Sequence, residues 1–124
     1  MEKPFVLLAD DNEATCTLIQ AMLHEEFIVE VVRNGSEAIE KLKRRQYVAV
    51  LLDLLMPEVD GYGVLDFLEA ERPAQLERVV IVTASLSPRE MQRVKRYPIN
   101  GIVAKPFDID MLKEAMRRCT GGDQ

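Results

Sequence analysis

Tryptophan is absent from the 124-residue chain, and cysteine is scarce. Cys16 and Cys119 lie far apart, without the spacing of metal ligands. That argues against a disulfide framework or a thiolate zinc site and leaves each as a small buried hydrophobe or a free surface thiol. Long apolar runs are missing too. No stretch approaches the roughly 20 residues needed to span a bilayer. Positive charge is in deficit: 16 Lys and Arg stand against 21 Asp and Glu, for a net charge of −5. The unspecific attraction to nucleic acid or to an anionic membrane is therefore lacking. The basic clusters, Lys43-Arg44-Arg45, Arg93 to Arg96 and Arg117-Arg118, fall in helical segments and read as solvated faces or charges at helix C-termini. No repeat, linker or low-complexity segment divides the chain, so residues 1–124 are read as one domain with a substantial core. Met1-Glu2-Lys3-Pro4 leads directly into a strand-like run, and the expectation is a cytoplasmic protein.

What is present centres on Val48-Ala-Val-Leu-Leu-Asp53-Leu-Leu-Met-Pro57-Glu-Val-Asp-Gly61. An unbroken apolar run marks a strand buried on both faces. It ends on one carboxylate, Asp53, and Pro57 and Asp60-Gly61 then break the chain. Phe5 to Ala9, ending on Asp10-Asp11, and Val79 to Val82, ending on Thr83-Ala84-Ser85, have the same form. Ile28 to Val32 carries Glu30 and suits an edge strand, as does the short Gly101 to Ala104, which ends on Lys105-Pro106.

Helical segments fall between these runs. Asn12 caps the first, with Thr15, Ile19, Met22 and Leu23 on one face. Ser36 is expected to cap the second, with Ala38, Ile39 and Leu42 inward. Tyr62, Leu65 and Leu68 face inward from the third, and Pro73 stops it. Ser87-Pro88 opens a polar fourth helix. Asp108 caps a fifth that buries Met111, Leu112, Ala115 and Met116, and Thr120 to Gln124 reads as a frayed tail. The alternation predicts an α/β fold, a single doubly wound (βα)5 flavodoxin-like domain. Ranking the strands by apolarity gives sheet order 2-1-3-4-5.

Each notable polar residue ends a strand: Asp10 and Asp11 the first, Asp53 the third, Thr83 the fourth, Lys105 the fifth. Parallel strands place these ends on one sheet edge, where open α/β folds keep their sites. Three carboxylates in one crevice repel, and a hard divalent cation, Mg²⁺ (or Mn²⁺), resolves the repulsion. A carboxylate also attacks phosphorus to give an aspartyl phosphate. Cations around the equatorial oxygens favour that transfer, and Lys105 is one. The Thr83 hydroxyl suits a third phosphoryl oxygen. Each residue alone has an ordinary reading as a cap, a turn, a strand residue or an exposed lysine. Their conjunction at the ends of four strands does not.

Ala9-Asp10-Asp11, Asp53-Leu-Leu-Met-Pro57 with Asp60-Gly61, Val82-Thr83-Ala84 and Lys105-Pro106-Phe107 resemble the motifs of the CheY-like response-regulator receiver domain, over essentially the whole chain. The resemblance implies phosphorylation of Asp53 by a histidine kinase or phosphotransfer protein. It implies metal ligation by Asp11, Asp53 and the Leu55 backbone carbonyl, with Asp10 acting through water. It makes Thr83 the switch hydroxyl, Lys105 the phosphate partner and Lys105-Pro106 a cis peptide. Leu55 and Ser85 take the positions that tune the lifetime of the phosphoryl group. Ile102 stands where the family usually carries a switching aromatic, and Pro98-Ile99 where it carries Gly-Ala. A different rearrangement is therefore expected of the fourth-helix, fifth-strand and fifth-helix face, the expected docking surface for a downstream protein or a second copy.

Such a receiver promotes only its own phosphorylation and dephosphorylation and is not an enzyme acting on a separate substrate. The opening Met1 and the tail after Cys119 suit a stand-alone regulator or a relay intermediate. Three alternatives compete with this reading. A haloacid-dehalogenase-type phosphatase lacks its second acid here, since Leu54-Leu55 follow Asp53 and Asn12-Glu13 follow Asp11. A flavin or dinucleotide carrier lacks its phosphate cradle, with Gly61-Tyr-Gly63 a weak motif. A docking module that works without phosphorylation stays open, because Ile102 weakens the usual switch.

Overall fold

A computed structural model describes residues 2–84 and 86–121. Strands and helices alternate as β1 (Phe5–Ala9), α1 (Glu13–Leu23), β2 (Ile28–Val32), α2 (Gly35–Arg44), β3 (Ala49–Leu52), α3 (Gly61–Glu71), β4 (Val79–Thr83), α4 (Pro88–Val94), β5 (Gly101–Ala104) and α5 (Ile109–Thr120). All strand pairs are parallel, in the order β2-β1-β3-β4-β5. This is the flavodoxin-like winding, with its switch point between β1 and β3.

Strand periodicity splits the core into two layers. Leu7, Ala9, Val50, Leu52, Val79 and Ile81 face one way, onto α2, α3 and Val94 of α4. Val6, Leu8, Ala49, Leu51, Val80 and Val82 face the other, onto α1 and α5. Side chains alternate across a strand, so a central strand with helices on both faces must be apolar throughout. Every residue of β3 and β4 is buried, whereas β2 and β5, at the sheet edges, are partly exposed.

Local chemistry sets the helix starts. Asn12, Asp60 and Asp108 each accept a hydrogen bond from the amide three residues on. Ser87 and Glu90 form a reciprocal capping box before α4.

Some expectations shift. Asn34, not Ser36, caps α2: its side chain accepts from the Glu37 N–H at 2.8 Å, and the helix begins at Gly35. Asn34 is extended and reaches that amide, whereas Ser36 already lies inside the first turn. On α5 the buried stripe is Leu112, Ala115, Met116 and Cys119, and Met111 is 44% exposed. Met111 is one step off the 3.6-residue stripe, and Cys119 completes it one turn further on. On α1 the buried residues are Cys16, Ile19 and Leu23, with Thr15 and Met22 at the flanks. Pro73 opens a 3₁₀ helix, Pro73–Arg78, that buries Gln75 and Leu76. The Gln75 amide exchanges two hydrogen bonds with the Tyr47 backbone, at 2.9 and 2.8 Å. Helix α5 runs through Thr120, with Gly121 at φ 66 as its left-handed cap. Residues 122–124 of the expected tail lie outside the described residues.

Candidate functional site

The carboxyl ends of β1, β3, β4 and β5 meet at one sheet edge. Register places them there: Ala9 pairs with Leu52, and Thr83 with Ala104. The Asp53 N–H donates to the Ala9 carbonyl at 2.9 Å, and the Lys105 N–H to the Thr83 carbonyl at 2.8 Å. Those ladder bonds carry the sheet just past its regular strands and hold Asp10, Asp53, Thr83 and Lys105 within reach of one another.

Asp53 is 6% exposed. Its Oδ1 accepts from the Thr83 hydroxyl at 3.1 Å and from the Leu55 N–H at 3.2 Å. Its Oδ2 faces the Lys105 ammonium at 3.4 Å. Burial pushes the Asp53 carboxyl above the ordinary range. The Leu55 N–H opposes that rise, the Asp10 charge adds to it, and Lys105 and the Thr83 hydroxyl oppose it.

Asp10 is 1% exposed, and its carboxylate is tied on both oxygens. The Asn12 N–H donates to Oδ1 at 2.9 Å, and Lys105 Nζ donates to Oδ2 at 2.8 Å. Burial alone would push the Lys105 ammonium down, but its hydrogen bond to Asp10 and the charges of Asp10 and Asp53 carry it up. Lys105 therefore stays charged, and one cation serves two buried acids.

Two further contacts escape sequence reasoning. Asn12 reads as a helix cap, yet its N–H also fixes the Asp10 carboxylate. The Cys16 thiol donates to the Asp10 carbonyl at 3.3 Å from inside α1. Burial, with the Asp10 charge second, pushes that thiol up, so it stays protonated as a donor. The helical spacing of Cys16 signals burial; nothing in the sequence signals this bond.

One carboxylate oxygen from each of Asp10, Asp11 and Asp53 lies within 4.8 Å of the others. Asp11 is exposed and leaves that side open to solvent. The donor set is hard oxygen throughout and fits Mg²⁺ rather than a softer metal. Leu55 follows Asp53 with 66% of its surface exposed. The Lys105-Pro106 peptide is cis. Ile102 sits half-buried against the core layer that contains Tyr62 and Val94, beside Ile81 of β4. Ser85 lies outside the described residues.

Comparison with known proteins places this arrangement. Residues 6–117 match the family model of the response regulator receiver domain. The chain is 30% identical over 121 residues to response regulator Rre1 of Synechocystis sp. (strain PCC 6803). That match covers 96% of this chain and 52% of Rre1, so the chain spans about half the length of this curated relative. The receiver domain of sensor histidine kinase PA1611 from Pseudomonas aeruginosa superimposes with a TM-score of 0.87 at 27% identity, covering 98% of this chain and 100% of that one. That structure holds a magnesium ion coordinated in its active-site cleft. The signal receiver domain of a histidine kinase from Syntrophus aciditrophicus gives 0.84 at 25% identity, covering 98% and 92%. By sequence match and by fold, the chain belongs to the response regulator receiver domain family.

Proposed function

We propose that this receiver works in the cytoplasm and takes a phosphoryl group onto Asp53 from the phosphohistidine of a histidine kinase or phosphotransfer protein. The observation that carries the reading is the setting of Asp53: a buried strand-end carboxylate with a cation and a hydroxyl already on its oxygens. Oδ1 holds two donors, and Oδ2 holds only the longer contact to Lys105, so Oδ2 is the freer nucleophile. It attacks phosphorus; the new O–P bond forms as the donor's N–P bond breaks, and the imidazole nitrogen keeps the electron pair. Lys105 then shifts its attention from the carboxylate to the added phosphoryl oxygens, and Thr83 turns its hydroxyl to another of them. Water later attacks phosphorus, restores the carboxylate and releases inorganic phosphate. The protein promotes these two steps on itself alone.

Asp11, Asp53 and the Leu55 carbonyl would hold Mg²⁺ (or Mn²⁺), with Asp10 acting through water, as the magnesium-bearing cleft of the PA1611 receiver suggests by likeness. Bound there, the ion supplies positive charge against the three carboxylates and the phosphoryl oxygens. The turn of Thr83 pulls on the β4–α4 connection, and the changed face spans α4, β5 and α5. A downstream protein or a second copy docks there, with no direct nucleic-acid or membrane contact. Ile102 rearranges in place of an aromatic, and Leu55 and Ser85 tune the phosphoryl lifetime.

The test is intact-mass spectrometry after incubation with acetyl phosphate, with and without Mg²⁺, beside Asp53→Ala. One added phosphoryl group that needs both the ion and Asp53 is expected. No adduct on a folded protein that binds Mg²⁺ would leave a docking module that works without phosphorylation.

A further inference from the structure

The loop 54–60 carries the site from Asp53 to the cap of α3. Its two ends are tied locally. The Leu55 N–H donates to Asp53 Oδ1 at 3.2 Å, and the Gly61 N–H donates to the Leu54 carbonyl at 3.0 Å. Its middle is held from outside: the Val59 carbonyl accepts from the Gly35 N–H at 2.8 Å. Gly35 is the first residue of α2, three residues after Val32, whose carbonyl accepts from the Asp10 N–H at 3.1 Å.

That contact tolerates no side chain. A Cβ on Gly35 would lie 2.0 Å from the Val59 oxygen and 2.6 Å from its carbonyl carbon, closer than any real contact. On the other side, a Cβ on Gly63 would lie 2.4 Å from Val59 Cγ1. Val59 is thus gripped between the first turns of α2 and α3. The residue before it, Glu58, has φ 64, a left-handed conformation that an L side chain adopts only when its surroundings enforce it. The start of α2 cannot yield freely. Asn34 caps it, the Arg33 N–H binds the Glu37 carboxylate at 3.1 Å, and Ala38 and Leu42 are buried below it.

We infer that Gly35 is a positioning residue for the phosphoacceptor loop, and that the start of α2 responds when Asp53 and its metal site are loaded. The inference rests on the proposed chemistry at Asp53. Val59 lies four positions after Leu55, whose carbonyl is a proposed ligand. A displaced Val59 therefore misplaces Leu55 and Asp53, and a loaded Asp53 moves Val59 against Gly35.

The experiment follows glycine amides by ¹⁵N NMR on the wild-type protein, first with Mg²⁺ alone, then with acetyl phosphate. Gly61, Gly35 and Gly101 report the loop, the α2 contact and the opposite edge of the sheet. The expected result is a clear shift at Gly61 and Gly35 with Gly101 nearly still. A shift at Gly61 without one at Gly35 overturns the coupling and leaves the phosphoacceptor reading standing. No shift at either, with no phosphoryl adduct by mass, overturns the reading itself and this inference with it.

A second measurement uses Gly35→Ala against Leu112→Ala, a core variant on α5 away from the site, both below their melting temperatures. Gly35→Ala is expected to slow phosphoryl uptake by about tenfold or more, as misplacement by an ångström does. Leu112→Ala is expected to keep its rate despite a lower Tm. Equal rates in the two variants overturn the positioning role. Should Gly35→Ala not fold, the wild-type amide shifts still decide.

Discussion

Lys105 and Asp10, 95 residues apart in sequence, form the shortest salt bridge onto the buried acids, at 2.8 Å, with Asp53 at 3.4 Å from the same nitrogen. The lysine is thus shared, and its closer partner is not the proposed phosphoacceptor. An ammonium between two carboxylates offsets the same repulsion that a divalent cation would, so the two cations have overlapping tasks before phosphorylation.

Lys105→Met should therefore destabilise the metal-free protein by about 1–3 kcal/mol, below the usual cost of breaking a fully buried pair because the lysine is partly exposed. Added Mg²⁺ should restore more stability to the variant than it adds to the wild type, through tighter binding to the uncompensated acids. Urea unfolding with and without Mg²⁺ measures both. An equal gain in the two proteins would contradict the shared role.

Leu55 is exposed two residues after Asp53 and offers attacking water no hydrogen bond. Leu55→Asn should speed loss of the phosphoryl group severalfold, short of the about hundredfold of a well-placed acid–base group. The decay is followed by inorganic phosphate release from protein freed of acetyl phosphate. An unchanged or slower loss would remove Leu55 from lifetime control.

Glu58 holds φ 64 in the loop beside the site. Glu58→Gly relieves that conformation and gives back part of the gain as unfolded-chain entropy, for a net stabilisation of about 0.5–1 kcal/mol. Denaturant midpoints at constant slope would show it. A loss of stability would mean that the glutamate side chain contributes more than its backbone costs.

The tyrosines predict an alkaline limit. Burial, then the hydrogen bond to Asp66, pushes the Tyr97 phenol up to about 12 from its ordinary value of 10.0. Burial also raises Tyr47, which donates to Glu30, and Tyr62, which lies near Glu90. The folded state prefers the neutral phenol. The stability Tyr97 contributes is complete below the unfolded value near 10 and is lost as pH rises through about 12. Phenolate absorbance of the folded protein should stay low through the ordinary range and rise late. A normal titration of all three tyrosines in the folded state would refute this.

Much of the molecule is legible in the chain. Runs such as Val50-Leu51-Leu52 and Val79 to Val82 lack alternation, and only a strand covered on both faces needs that. Glu30 marked β2 as an edge. Parallel strands then force Asp10, Asp53, Thr83 and Lys105 to one end, because the end of a strand is a position in sequence. What was missed is what depends on a neighbour. Met111 stands one position from the buried stripe and Ser36 two positions from the cap, and a stripe or a cap is decided by what the helix meets. The Cys16 thiol on Asp10 and the Gln75 amide on Tyr47 pair residues that no local pattern links.

The sequence by itself determined the fold class, the strand order and the company of polar residues at the sheet edge. These follow from periodicity and burial, which are properties of short stretches. Only the tertiary structure decided that Lys105 pairs most closely with Asp10, that Thr83 already rests on Asp53, and that Gly35 seats the loop through Val59. Those are distances between distant parts of the chain, set by how two core layers pack on one sheet, and no local propensity encodes them.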